Sequence, residues 1–155
     1  MNNMKKILFI LAVLFCTTAS LKADSKNEHD ILYLRGIMEL ETAYQQMNNL
    51  TFSMNNSINS ILIYTIDNKH KKDYNLLDSY IKTYYSAQKL FIQYQEYYPF
   101  LENFINELIA TGLFTQDEIT LFNTKLIAIK SCQELAETTL DSFKNTILQY
   151  EERKR

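Results

Sequence analysis

Residues 33–65 read YLRGIMELETAYQQMNNLTFSMNNSINSILIYT. Within them Tyr33, Ile37, Leu40, Tyr44, Met47, Thr51, Met54, Ile58, Ile61 and Thr65 follow one another in alternating steps of 4 and 3. A mean step of 3.5 residues is the spacing of a coiled-coil seam, where one stripe of a helix stays turned to its neighbour. The spacing predicts a helix from about residue 30 to 66, roughly 55 Å long at 1.5 Å per residue. Met47-Asn48-Asn49 recurs as Met54-Asn55-Asn56, and these asparagines fall off the seam, where water is expected. Gly36 stands one residue before the seam position Ile37 and receives no role from this pattern.

The same period continues on both sides of two interruptions. Asp67-Asn68-Lys69-His70-Lys71-Lys72-Asp73 is a polar connection. A second helix is expected from about Asp73 to Tyr98, with Leu77, Tyr80, Tyr84, Ala87, Phe91, Tyr94 and Tyr98 on its seam. Ile81, Leu90 and Ile92 are read as widening that face. Pro99 should end or kink this helix, because proline pushes Tyr98 out of the α region. Phe100, Leu101, Phe104, Ile105, Leu108 and Ile109 then make a short fourth helix, with Gly112 placed for a left-handed C-cap. Thr115-Gln116-Asp117-Glu118 is a capping-box pattern that opens the last helix, expected over about 116–150. Its seam is Ile119, Phe122, Leu126, Ile129, Gln133, Ala136, Leu140, Phe143, Ile147 and Tyr150. Gln133 is its polar member, placed either to set register or at a wet edge.

Seams of this kind must face one another. The expected fold is all-α: an antiparallel bundle of three long helices and one short helix, over residues 24–155. Composition agrees. In 155 residues there are 2 Gly and 1 Pro, with 46% apolar and 22% charged residues. So few glycines cannot supply phosphate loops, dinucleotide turns and hairpins together. Two Cys and two His cannot build a zinc framework.

Residues 1–23, MNNMKKILFILAVLFCTTASLKA, have the layout of a secretory signal peptide. Lys5 and Lys6 precede a ten-residue apolar run from Ile7 to Cys16, too short to span a bilayer. Cleavage is expected after Ala23, with Ala19 as the alternative site. Phe15 before Cys16 argues against a lipoprotein signal, which needs a small residue there. Processing would remove three lysines and no acid, leaving about 132 residues with a charge near −5. The expectation is a periplasmic or secreted protein without a stable transmembrane span. Bulk charge offers nothing to nucleic acid. Cys132 would be the remaining cysteine, read either as a buried small hydrophobe or as the site of an intermolecular disulfide.

Catalytic sets are missing from the sequence. His70 stands among lysines, where a cation would meet like charge, and His29 lacks a second ligand cluster within its own polar terminal segment. Glu39 and Glu41 cannot share a helix face, and Glu134 and Glu137 have no base or ligand beside them. Asp117 and Glu118 are accounted for by capping. Asn49-Leu50-Thr51 and Asn55-Asn56-Ser57 match a glycosylation triplet that arises by chance in Asn-rich chains. No enzyme, metal or cofactor is expected. Tyrosine is dense in the second helix. Tyr80, Tyr84, Tyr85, Tyr94, Tyr97 and Tyr98 are open to two readings, as packing with hydroxyls at the rim or as a partner-binding surface.

Leu113-Phe114-Thr115-Gln116-Asp117-Glu118-Ile119, followed by Phe122-Asn123-Thr124-Lys125-Leu126, resembles the conjugal-transfer family of secreted helical proteins from Bacteroidetes mobile elements. That family is similar in plan to the minor pilus subunit of type IV secretion systems. Its members carry a signal peptide, long helices and a short loop with a Thr-x-Glu-Glu-like cap; here the cap reads Thr-Gln-Asp-Glu. The likeness runs over residues 70–150 in pattern and about fifteen residues in detail. This chain is short for the family, whose larger C-terminal portion has no counterpart in it. The resemblance implies an envelope component of a conjugation or type IV secretion apparatus, acting through protein–protein contacts and supplying no catalytic residues. The alternative is a periplasmic binding module, such as a chaperone, adaptor or immunity-type inhibitor with one soluble partner. Long seams also admit homo-oligomers.

Overall fold

In a computed structural model, residues 25–67 and 74–152 are described. The proposed signal peptide and most of the polar connection lie outside the described residues. Three helices account for nearly all the rest: α1 Ser25–Asp67, α2 Tyr74–Ala110 and α3 Gln116–Glu152. No strand occurs among the described residues. At 43 residues, α1 is roughly 65 Å long.

The seams explain the packing. On α1, Leu40, Met47, Met54 and Ile61 are nearly inaccessible and seven residues apart. They mark the middle of the buried stripe. Ala43 and Leu50 are buried on one side of this line and Thr51 on the other, whereas Tyr44 is pushed to the rim. On α3 the seam is buried almost throughout, from Phe122 to Tyr150, with Ile119 and Gln133 half-buried. The buried Thr51 and Thr139 hydroxyls donate to the Met47 and Leu135 carbonyls, so neither is stranded.

Two apolar clusters follow one another along the bundle. One is built from Leu40, Leu101, Ile105, Phe122 and Leu126, the other from Met54, Ile61, Phe91, Phe143 and Ile147. Residue pairs between helices fix how they lie. Between α1 and α3 the pairs are His29 with Glu118, Glu41 with Lys125, Asn48 with Cys132 and Tyr64 with Tyr150. Between α1 and α2 they are Arg35 with Phe104 and Glu39 with Tyr97. Between α2 and α3 they are Tyr84 with Phe143 and Tyr98 with Leu126.

Four expectations need correction. The first helix starts earlier than residue 30: α1 begins at Ser25, and His29 is docked on the start of α3. The short fourth helix is not separate, because α2 runs unbroken through Pro99 to Ala110. Pro99 and Gln95, the residue whose carbonyl loses its N–H partner, are both exposed, so water can satisfy that carbonyl. Buried anchors on either side, Phe91 and Leu101, hold both halves of α2 to the core. Leu90 and Ile92 do not widen the packed face of α2 but are exposed; Ile81 does join the core. Finally, Gly36 has a role. A Cβ there would lie 2.9 Å from Cε1 of Phe122 and 3.0 Å from Cδ1 of Leu108, so glycine lets the three helices close on one another.

The loop behaves as read. Gly112 has φ 70°, and its N–H donates to the Ile109 carbonyl at 3.2 Å. Phe114 turns inward and meets the Phe122 ring edge-on at 5.3 Å.

Valine at position 36 should lower stability by about 2–4 kcal/mol in urea unfolding, since branched carbons would have to displace a buried ring. Pro99→Ala should instead raise stability by about 1–3 kcal/mol, restoring a helix hydrogen bond on an exposed turn.

Candidate functional site

The capping box at the start of α3 is built as its residue types dictate. Thr115 donates its backbone N–H and its hydroxyl to Oε2 of Glu118, both at 2.8 Å, and the Glu118 N–H reaches back to Thr115 Oγ1 at 3.4 Å. These donors hold the Glu118 carboxyl below its ordinary range, the Thr115 N–H contributing most. Glu118 also receives His29 from α1, with Nε2 3.1 Å from Oε1, while His29 Nδ1 lies 2.9 Å from Asp30 Oδ1. With a carboxylate on each ring nitrogen, the imidazole is best served when both nitrogens carry protons. Its pKa is raised, chiefly by the bond to Asp30 and then by Glu118. The ring is parallel to Tyr33 at 6.1 Å and tilted against Phe114 at 5.5 Å. His29 therefore ties α1 to the loop and to α3, a link that its sequence neighbours did not indicate.

The tyrosines of α2 divide. Tyr80, Tyr84 and Tyr94 are half-buried against one apolar cluster and Tyr97 and Tyr98 against the other; Tyr85 is exposed. Tyr97 donates to Glu39 at 3.1 Å, and burial above all pushes its hydroxyl up to about 12. Tyr80, Tyr84, Tyr94 and Tyr98 are raised by burial as well. The structure thus packs five of the tyrosines against the core, half-buried, and leaves one ring, Tyr85, in the open.

Cys132 is half-buried on α3. Its Sγ lies 3.5 Å from Asn48 Oδ1, and burial pushes the thiol up, partly offset by Tyr44. Asn48, read from sequence as solvated, is half-buried here. A hollow of about 130 Å³ is lined by Leu40, Glu41, Tyr44, Lys125 and Ala128. That is small beside the several hundred Å³ of usual small-molecule sites. Lys125 is paired with Glu41 at its mouth. Among the described residues no group of His, Cys, Asp or Glu could hold a metal ion. No helix among them is long and apolar enough to cross a membrane.

One surface escaped the sequence reading. Ile31, Leu34, Met38, Phe52, Ile63 and Ile66 stand exposed on α1. Four of them, Ile31, Met38, Phe52 and Ile66, share one heptad series two residues out of step with Leu40, Met47, Met54 and Ile61, a series broken by Gln45 and Asn59 and so masked by the stronger seam. Neither family models, curated proteins nor solved structures give a match to this chain.

The His29 link makes stability depend on pH with a definite sign. Protonated His29 is favoured in the folded chain, so its contribution is whole below the ordinary pKa of 6.5 and is lost as pH rises through the elevated folded value. Glu118 acts in the other sense: its contribution holds above 4.5 and is lost as pH falls through its depressed folded value. Urea midpoints of the wild type should fall between about pH 5.5 and pH 8.5, and His29→Gln should flatten that fall.

Proposed function

We propose that this chain is an exported, non-enzymatic helical protein of the bacterial envelope, an accessory or structural part of a conjugation or type IV secretion apparatus working through protein contacts. The lysine-led apolar run Ile7–Cys16 supports export. The likeness of residues 113–126 to the conjugal-transfer family supports the apparatus. The single observation that carries a contact role is the set of large apolar side chains left exposed on α1, led by Met38 and Phe52. We further infer that the helices run up, down and up. In support, α1–α3 pairs climb together from His29/Glu118 to Tyr64/Tyr150, whereas Tyr84/Phe143 and Tyr98/Leu126 run in opposite order. Cys132 supports intermolecular disulfide chemistry weakly, since its sulfur turns toward Asn48 within the bundle.

Fractionation and donor-cell genetics test this reading. The chain should be recovered outside the cytoplasm with its N-terminus near residue 24. Deleting its gene from a donor should lower transfer of the element by more than tenfold, with recovery on complementation. Recovery of the unprocessed chain from the cytoplasm, or unchanged transfer, would sink it. A tight one-to-one complex with a neighbouring gene's soluble product, and unchanged transfer, would favour the adaptor or inhibitor reading.

A further inference from the structure

The start of α1 is held differently from the rest of it. Gly36, closed upon by Phe122 and Leu108, is the first buried position, and Leu40 is the next. Before Gly36 no described side chain is buried: His29, Leu32, Tyr33 and Arg35 are half-buried and the others exposed. Ring and charge contacts tie this arm down. Tyr33 is tilted against Phe122 at 5.7 Å, Arg35 lies over the Phe104 ring at 5.7 Å, and His29 rests on Phe114 and Glu118. A helix end with few buried contacts lies at the low end of local stability and opens before the core does. Because His29 and Tyr33 lie against Phe114 and Phe122, an open arm uncovers part of both rings.

His29 is a contact that a single proton remakes. Doubly protonated, it donates from Nδ1 to Asp30 and from Nε2 to Glu118, at 2.9 and 3.1 Å. A neutral imidazole has one N–H, and its bare nitrogen then faces a carboxylate with lone pair against lone pair. Asp30, its side chain 59% exposed, can turn to water, whereas Glu118 is held in place by the Thr115 N–H and hydroxyl. Even the tautomer that keeps Nε2–H for Glu118 loses the attraction between opposite charges. The surrounding charges favour the second proton. Asp30 on α1 and Glu118 on α3 act on the ring directly, and the loop 111–115 is uncharged and meets it with Phe114. Glu28 on α1, Glu107 on α2 and Asp117 on α3 add acid at this end of the bundle, against Lys26 and Arg35. The helix N-termini of α1 and α3 oppose a cation there. Two carboxylates in contact outweigh them, and the net effect raises the proton affinity of the ring.

We propose that residues 25–35 of α1 form a pH-operated latch, seated on the 111–115 loop and the start of α3 while His29 carries two ring protons, and released as far as Gly36 when it carries one, uncovering Phe114 and the near side of Phe122. The pH dependence of stability is thereby placed at one end of the molecule, whose opening is local. The latch does not rest on the envelope assignment above.

Hydrogen exchange followed amide by amide on the full chain tests it, each rate being divided by the intrinsic rate at its pH. Amides 30–36 should open at least about tenfold more readily than those around Phe143. Their protection should fall by about threefold or more between about pH 5.5 and pH 8.5. His29→Gln should leave it low and level at both pH values, although the N-terminal amine, which titrates in the same range, is unchanged. Glu118→Gln keeps a capping-box residue but removes the carboxylate. It should lower arm protection at about pH 5.5 to near the level of the wild type at about pH 8.5, while the Ile119 amide, bonded to the Thr115 carbonyl, stays protected. Arm amides that open no more readily than the core's, so that only whole-chain unfolding is seen, overturn the proposal. So does arm protection that ignores pH, or a response to pH that persists in His29→Gln.

Discussion

Gly36 carries no side chain, and the approach of three helices depends on that vacancy. The Phe122 ring and the Leu108 side chain occupy the space a Cβ would take. Phe122 is thereby wholly buried, with Tyr33 tilted against it at 5.7 Å and Phe114 meeting it edge-on. The same approach brings the first turns of α1 alongside the first turn of α3. His29 can then reach Glu118, and the capping box, a local device of one helix, becomes a link between two. Further along, Glu41 meets Lys125 and Asn48 meets Cys132 in step. A helix pair held close at one end by interlocking rings keeps its register over its length, since each seam residue must fall into the gap left by its neighbours.

Burial then divides the bundle into work for the core and work for the surface. The Tyr-rich face of α2 serves mainly the core. Its half-buried rings pack against the two apolar clusters, and the Tyr97 hydroxyl donates to Glu39. Large apolar side chains also remain outside on every helix, among them Met38 and Phe52 on α1, Phe100 on α2 and Ile127 on α3.

Much of this was legible in the residues. Steps of 3 and 4 from Phe122 to Tyr150 indicated a helix and the face it buries, because a helix returns to the same side after that interval. Thr115 and Glu118 marked where it starts, and Gly112 where its predecessor stops. Pro99 misled, because a local rule about the residue before proline gave way to anchors on both sides of an exposed turn. His29 misled for the opposite reason: its partner is 89 residues distant, and no local pattern encodes such a distance. Tyr44 and Leu50 exchanged places between rim and core, since the seam's centre depends on where two other helices lie.

The sequence by itself determined that the chain is helical, where the last helix begins, and which stripe of each helix is apolar, because periodicity and capping act within a few residues of chain. Only the tertiary structure decided which stripe meets a neighbour, why position 36 is glycine, what His29 touches, and which apolar side chains are left to water. Those are matters of distance between segments far apart in sequence, and they are settled by shape and close packing rather than by composition.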